Sequence, residues 1–251
     1  MTLVVGRLEP PHLFVFSDSH LTERYRTSLG NQLEGVVKTR ILTDTLSVSF
    51  AGNMHWVEKA FQRIEPHVSG QSVDPGTVAD ILLAEHVNSD RKTEFVLASL
   101  LPSPGLMEFK NGNANAVQHT WLGSFHAFST FQGLMTGAIT PMTRPVNTAA
   151  LGVVRMPEPD GAVSSEAYPR LLNAMQQVVE DSRVPEVGGF VVPVAAHKGR
   201  LTYMDYATVL SHPINWEEMK LPATVPFGTA EQGGYAFALM NDRISSRVLK
   251  K

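Results

Sequence analysis

The segment LFVFSDSHLT, residues 13–22, is an apolar run that ends in two side chains able to do chemistry, Asp18 and His20. Aromatic and β-branched runs of this kind predict a buried strand, so both side chains are expected at a strand end. Two chemistries fit this arrangement. Asp18 and His20 could be the first two ligands of a metal centre, or a hairpin could carry the Asp18 carboxylate back beside the start of the chain.

A metal centre of the metallophosphoesterase kind needs more ligands at later strand ends, because it holds two metal ions. Those ligands occur in the patterns Gly-Asp, Gly-Asn-His and Gly-His-x-His. Here Asp44 has no preceding glycine, and the Gly52-Asn53 pair is followed by Met54. The nine histidines form neither His-x-His nor His-Glu-x-x-His. The sequence disfavours a metallophosphoesterase and keeps it only as an alternative.

Thr2 offers the second chemistry. The initiator methionine is normally removed before a residue as small as threonine, so Thr2 is expected to carry a free α-amino group. A free N-terminal threonine combines a hydroxyl nucleophile with an amine of pKa about 7.7–8.0, which can accept the hydroxyl proton near neutral pH. Such a nucleophile needs a cation that keeps the amine neutral, a carboxylate that holds the cation, and a backbone N–H for the oxyanion.

The intervals between Thr2 and Asp18 and between Lys38 and Gly52 resemble those of the proteasome-type N-terminal nucleophile (Ntn) hydrolases. This family comprises the proteasome β subunits and their bacterial relatives. Asp18, in DSHLT, follows Thr2 by sixteen residues, and Gly52 follows Lys38 by fourteen in KTRILTDTLSVSFAG. The loop between Asp18 and Lys38 is longer than usual in that family. The segment TWLGSFHAF is similar to the family's Ile-Gly-Ser turn, which places Ser124 near the nucleophile. The resemblance covers roughly residues 2–210.

The resemblance implies a threonine-type peptidase or amidohydrolase that acts through a threonyl acyl-enzyme without a metal or an organic cofactor. Thr2 would attack the scissile carbonyl, and its amine would accept the hydroxyl proton and pass it to the leaving amine. Lys38 would lower the proton affinity of that amine, and Asp18 would orient Lys38. The Gly52 N–H would stabilise the oxyanion.

Five more residues are expected around this nucleophile. Ser124 and Asp181 would support the amine, while His20, Phe50 and Met54 would shape the substrate pocket. Structural roles are equally open for two of them, because Ser124 fits a helix N-cap and Asp181 a helix end.

Val187 departs from the family pattern, which has a serine immediately before the Gly-Gly pair at this place. A valine side chain cannot handle a proton, so a catalytically silent subunit that serves binding or assembly is one alternative. A non-peptidase amidohydrolase on the same scaffold is another.

The composition is that of an ordinary globular chain. The 251 residues are 43% apolar and 18% charged, with a net charge of −3 and no cysteine. Disulfides and thiol chemistry are therefore excluded. The small negative net charge does not indicate binding to nucleic acid or to an anionic membrane. Because neither a leader peptide nor a long apolar run is recognisable, a cytoplasmic protein is expected.

The periodicity predicts four strands, two helices, three strands, two helices and two strands, which is an α+β pattern. Predicted helices cover residues 55–64, a segment from Asp74-Pro75 onward, FHAFSTFQGLM and AYPRLLNAMQQVVED. By resemblance, the fold is expected to be a four-layer αββα sandwich in one domain, residues 1–210, with a C-terminal extension, residues 211–251, packed on it. The same resemblance implies a peptide or amide substrate and a homo-oligomeric ring or stacked ring, and it is compatible with an ATPase partner.

Overall fold

The structure is a computed structural model that describes residues 2–26, 32–68, 73–140, 167–188, 191–204, 235–240 and 243–248. Within these ranges the chain has mixed α and β content, with fourteen strands and four helices. The strands are β1 Leu3–Glu9, β2 His12–Ser17, β3 His20–Arg26, β4 Gln32–Gly35, β5 Thr39–Thr43, β6 Leu46–Ala51, β7 Glu94–Ser99, β8 Gly105–Lys110, β9 Asn113–Val117, β10 His119–Gly123, β11 Val192–His197, β12 Arg200–Tyr203, β13 Tyr235–Met240 and β14 Arg243–Val248. The helices are α1 Met54–Ile64, α2 Pro75–Asn88, α3 Phe125–Thr136 and α4 Ala167–Glu180.

Ten of the strands form two antiparallel five-stranded sheets. The first sheet has the order β10-β1-β2-β11-β12, and the second has the order β5-β6-β7-β8-β9. The remaining four strands form two separate hairpins, β3-β4 and β13-β14. The first hairpin of the chain, β1-β2, therefore provides interior strands of the first sheet. Strand β10 pairs with β1 on one side of this hairpin, and β11 pairs with β2 on the other.

Side chains of the central strands alternate between two cores, as the two-residue period of a strand requires. In β1, Leu3 and Val5 pack with α3 and α4 in what we call core II. Val4, between them, packs in core III, which joins residues of both sheets. Core I contains residues of the second sheet with α1 and α2, including Phe50 and Val57.

The helices begin where local capping predicts. Asn53 caps α1, accepting a hydrogen bond from the His55 N–H at 2.9 Å. Asp74 caps α2 with Pro75 in the first turn, and it accepts from the Thr77 N–H at 2.8 Å. The predicted Asp74-Pro75 helix start is therefore confirmed, because the side-chain oxygen satisfies an N–H that has no partner within the helix.

Two parts of the predicted strand order were wrong. The polar loop expected after Asp18 contains the hairpin β3-β4, whose sequence lacks the apolar alternation that marks a strand. The segment VQHTWLGS, residues 117–124, has the sequence pattern of a single short strand, but the structure divides it, because Asn113–Val117 pairs with β8 as β9 and His119–Gly123 pairs with β1 as β10. The expected extension, residues 211–251, lies largely outside the described residues. Among the residues described, no helix is both long enough and apolar enough to cross a membrane.

Candidate active site

A buried ion pair between Lys38 and Asp18 is the centre of the site. Lys38 Nζ lies 2.8 Å from each carboxylate oxygen of Asp18, and the two side chains are 1% and 0% exposed. Burial lowers the pKa of Lys38, and the Asp18 carboxylate opposes that shift. Desolvating both charges costs several kcal/mol per ion, about the size of what their pairing returns. A pair of this kind is weak evidence for stability and points to a functional site.

Backbone donors satisfy the rest of the Asp18 carboxylate. Oδ1 accepts from the Leu3 N–H at 2.9 Å, and Oδ2 accepts from the His20 N–H at 3.2 Å and the Gly188 N–H at 3.4 Å. The Asp18 N–H in turn donates to the Leu3 carbonyl at 3.1 Å. Asp18 Oδ1 therefore contacts both the Lys38 ammonium and the peptide group that links Thr2 to Leu3.

Thr2 lies at the start of β1 and is 6% exposed. Its carbonyl accepts a hydrogen bond from the Ser124 N–H at 2.7 Å, and Leu3 pairs with Gly123 across β1 and β10. Gly123 has φ +93°, and a Cβ there would lie 2.0 Å from the Thr2 carbonyl oxygen. The first residues of β1 thus fit against a turn that only glycine can form.

The long connection between Asp18 and Lys38 does not displace Lys38. The β3-β4 hairpin takes up the extra residues, and Val36 donates to the Ser19 carbonyl at 2.8 Å where the hairpin ends. Lys38 Nζ donates to the His20 carbonyl at 2.5 Å, and the Lys38 carbonyl accepts from the Phe50 N–H at 3.0 Å. The Lys38–Asp18 ion pair therefore forms in spite of the long connection between the two residues.

Three hydroxyl groups connect the strands that carry the ion pair. Thr39 Oγ1 donates to Ser17 Oγ at 3.2 Å and lies 2.9 Å from Ser49 Oγ, and all three residues are buried. Ser17 directly precedes Asp18, and Thr39 directly follows Lys38. These bonds hold the two sheets together beside the pair. Sequence reasoning missed them, because single hydroxyls on apolar strands give no signal of which partners they meet.

Gly52 lies between β6 and α1 with φ +115°. A Cβ there would be 2.2 Å from the Lys92 carbonyl oxygen and 2.8 Å from Thr93 Cα. The tight turn and this close approach together account for the glycine. The role of its N–H as an oxyanion donor stays a prediction.

Ser124 has the structural role that was expected as one option. It caps α3, with Oγ accepting from the Ala127 N–H at 3.1 Å. The same Oγ donates to Glu186 Oε1 at 2.6 Å, and His126 Nδ1 lies 3.3 Å from that oxygen. The structure thus brings Ser124 beside Thr2 through its backbone, and it adds Glu186, a residue that the sequence did not single out.

Asp181 follows the last residue of α4 and is 5% exposed. Arg183 Nε lies 2.9 and 3.1 Å from its two oxygens, and Arg183 Nη2 lies 2.7 Å from Oδ2. Val187 is buried in core II. The expected support of the Thr2 amine by Asp181 stays a prediction, and the geometry gives this carboxylate a salt bridge that holds the turn after α4.

The three residues expected to shape a pocket lie in different surroundings. His20 is partly buried, and partial burial is the main reason that its pKa is lowered, with Lys38 adding to the shift and Asp18 opposing it. Phe50 and Met54 are buried in core I, where Phe50 packs edge-on against Phe61. Their placement gives Phe50 and Met54 a core role and lends no support to a pocket-lining one.

The Asp18 carboxylate accepts hydrogen bonds from an ammonium group and from backbone N–H groups. The carboxylate of a metal ligand would instead face the metal ion. Within the ranges described, no three His, Asp or Glu side chains are grouped as a metal site. The geometry favours the ion-pair interpretation of Asp18 over the metal-ligand one.

Comparisons with known proteins add no relative. No family model matches this sequence, and no curated protein matches it either.

Proposed function

We propose that this protein is a threonine-type N-terminal nucleophile hydrolase that cleaves peptide or amide bonds. The observation that carries the proposal is the buried Lys38–Asp18 pair, whose carboxylate oxygen also binds the peptide N–H directly after Thr2. A desolvated ammonium held at that place is the cation that an N-terminal threonine needs. The cytoplasmic location and the absence of a metal or cofactor requirement belong to the same proposal.

The arrangement of the three cores supports a four-layer αββα sandwich. Core I joins α1 and α2 to the second sheet, core III joins the two sheets, and core II joins the first sheet to α3 and α4. Taken in order, these contacts correspond to helices, sheet, sheet and helices, as in the Ntn hydrolases that the sequence resembles.

In the proposed reaction, removal of Met1 frees the α-amino group of Thr2. That amine takes the proton from Thr2 Oγ1 as the oxygen attacks the substrate carbonyl, and the Gly52 N–H donates to the oxyanion. The amine then gives its proton to the leaving nitrogen, which leaves an acyl group on Thr2. Water, deprotonated by the same amine, attacks the ester, and the amine returns that proton to Thr2 Oγ1 as the acid product leaves. The Lys38 charge favours the neutral amine at the start of each cycle.

A catalytically silent assembly or binding subunit is the second candidate. The burial of Val187 in core II favours it, because the family's serine hydroxyl is missing there. A peptide-directed enzyme and an amidohydrolase for small amides share the same nucleophile, so a peptide library and a set of small amides would distinguish them. A homo-oligomeric ring and an ATPase partner are proposals from the resemblance, and the native mass tests the first.

Intact mass with and without a threonine-directed electrophile tests the enzyme proposal. We expect a purified protein that has lost Met1 and that gains one equivalent of the electrophile. Thr2→Ala should lose Met1 as well but remain unlabelled, whereas Thr2→Ser should retain labelling at a changed rate. An active protein that retains Met1, or wild type that is never labelled, would contradict the proposal. Activity abolished by a chelator would instead favour the metallophosphoesterase.

A further inference from the structure

Glu186 binds the side chain of Ser124, whose backbone N–H contacts the proposed nucleophile, Thr2. It lies in the turn between α4 and β11 and is partly buried. Its Oε1 accepts from Ser124 Oγ at 2.6 Å, with His126 Nδ1 at 3.3 Å. The Ser124 hydrogen bond is the first cause that lowers the pKa of Glu186, so the side chain is a carboxylate at neutral pH.

The hydrogen-bonding capacity of Ser124 Oγ is almost fully used. A hydroxyl has one proton and two acceptor lone pairs. The proton is directed to Glu186, and one lone pair accepts from the Ala127 N–H at 3.1 Å. One acceptor position remains, on a residue whose own N–H is 2.7 Å from the Thr2 carbonyl oxygen.

We propose that Glu186 is a positioning residue for the α-amino group of Thr2 and that it acts through Ser124. By taking the Ser124 proton, Glu186 leaves the hydroxyl able only to accept, and the remaining lone pair receives an N–H of the Thr2 amine. A hydroxyl that donates to a carboxylate is also a stronger acceptor, because the hydrogen bonds polarise one another. This inference rests on the proposed function and deepens it.

Glu186 supplies a polar side chain beside Ser124, whereas Val187, the next residue along the chain, has none. Val187 contributes its side chain to core II, while Glu186 turns to Ser124. The amine is then held between two opposed effects. Lys38 favours its neutral form, and the Glu186–Ser124 pair favours its protonated form, so their balance sets the pH at which Thr2 becomes nucleophilic.

Other charged and titratable groups face this part of the molecule from the neighbouring elements. Glu94 in β7 accepts from the Gly123 N–H at 3.2 Å, and His126 in α3 shares Glu186 Oε1. Asp18, His20 and Lys38 lie at the ion pair beside the Thr2–Leu3 peptide, and Asp181 and Arg183 pair in the turn after α4.

The test is the pH dependence of the second-order rate of Thr2 labelling by the electrophile. In Glu186→Gln the amide oxygen still accepts from Ser124, but the negative charge is gone. We expect the rising limb of the profile to move to lower pH by about half a unit or more, because the Ser124 hydroxyl is a weaker acceptor when it donates to a neutral amide than when it donates to a carboxylate. Glu186→Asp keeps the charge and should return the limb toward its wild-type position. Glu9→Gln, at the far end of the β1-β2 hairpin, is the control variant.

A double variant tests whether the effect runs through Ser124. In the Ser124→Ala background, Glu186→Gln should produce no additional shift. An unshifted limb in Glu186→Gln, with labelling intact, would overturn the role of Glu186 and leave the proposed function standing. An equal shift in both backgrounds would overturn the route through Ser124. Wild type that is unlabelled at every pH would overturn both proposals. Should Glu186→Gln fail to fold, Glu186→Ala replaces it with the same expected shift to lower pH, and an unshifted limb in that variant would overturn the role of Glu186.

Discussion

Lys38 Nζ lies at the same distance, 2.8 Å, from both carboxylate oxygens of Asp18, although the separate hairpin β3-β4 lies between the two residues in the chain. This symmetrical contact is buried, and Asp18 also receives three backbone N–H groups. The carboxylate is thus held more firmly by the backbone than the ammonium is, which makes Asp18 the fixed partner and Lys38 the positioned one.

A double-mutant cycle on this pair should show strong coupling. Asp18→Asn leaves a buried ammonium without its counter-charge and should lower the free energy of unfolding by about 3–5 kcal/mol. Lys38→Met should also destabilise, but the backbone N–H groups still stabilise the carboxylate. The double variant should cost less than the sum by about 1–3 kcal/mol, because neither charge is then left unpaired. Denaturant unfolding measures all four proteins.

The partly exposed pair Arg7–Glu9 is the matched control for this cycle. Its side chains are 34% and 35% exposed, and its atoms lie 2.6 Å apart. The cycle of Arg7→Met and Glu9→Gln should give a coupling of about 0–1 kcal/mol, since solvent screens the charges. A coupling between Asp18 and Lys38 no larger than that of this partly exposed pair would contradict the expectation.

Gly123→Ala should disturb Thr2 far more than Gly137→Ala does. Both glycines have positive φ, +93° and +75°, so both alanines meet backbone strain of roughly 1–2 kcal/mol. Only at Gly123 would the new Cβ collide with the Thr2 carbonyl, whereas nothing lies within 4 Å at Gly137. We expect loss of electrophile labelling and the larger drop in thermal stability for Gly123→Ala. Equal effects of the two substitutions would show that the contact with Thr2 is unimportant.

His20 should make the protein less stable in mild acid. Its pKa in the folded state is lowered from 6.5, first by partial burial and then by Lys38. In the window from 6.5 down to that lowered pKa, the unfolded chain binds more protons than the folded one, so stability falls as the pH falls. His20→Gln should show a flatter decline in the free energy of unfolding between neutral and mildly acidic pH. A decline as steep as that of wild type would be inconsistent with this assignment.

Tyr203 should limit stability in alkali. Burial raises its pKa to about 12, and its hydroxyl donates to the Thr39 carbonyl at 2.9 Å while accepting from the Ile41 N–H at 3.3 Å. Between its ordinary value of 10.0 and about 12, only the folded state retains the proton, so stability falls as the pH rises through that window.

Tyr203→Phe tests this bridge between β12 and β5. At neutral pH it should cost about 1–3 kcal/mol, because both backbone groups lose a buried partner. Above pH 10 its stability should decline less steeply than that of wild type, and the last phenol ionisation seen at 295 nm should disappear. Retention of that late ionisation in the variant would assign it to another tyrosine.

The helices were predictable because their signals are local. The apolar residues Val57, Phe61 and Ile64 recur at helical spacing, and Asp74 and Ser124 cap their own helices. The strand β9, NANAV, was not predictable, because asparagine and alanine have low strand propensity and this strand exists through its pairing with β8.

The site was predictable in the part that depends on spacing. The resemblance in the spacing of Thr2, Asp18 and Lys38 predicted that these residues lie together, and the structure places Asp18 against both Lys38 and the Thr2–Leu3 peptide. The contact of Glu186 with Ser124 joins segments far apart in sequence, and neither residue type nor local pattern marks it. Its prediction would have required knowing how the turn after α4 packs.

The position of the first hairpin in its sheet has a consequence for synthesis on the ribosome. Strands β1 and β2 emerge early, but β10 and β11, which cover their outer edges, come from much later parts of the chain. Nascent chains must therefore keep two apolar strands with unpaired edges out of intermolecular contact until those segments appear. Folding of the first sheet is consequently a late, long-range event, and the contact of the Thr2 carbonyl with the Ser124 N–H cannot form before it.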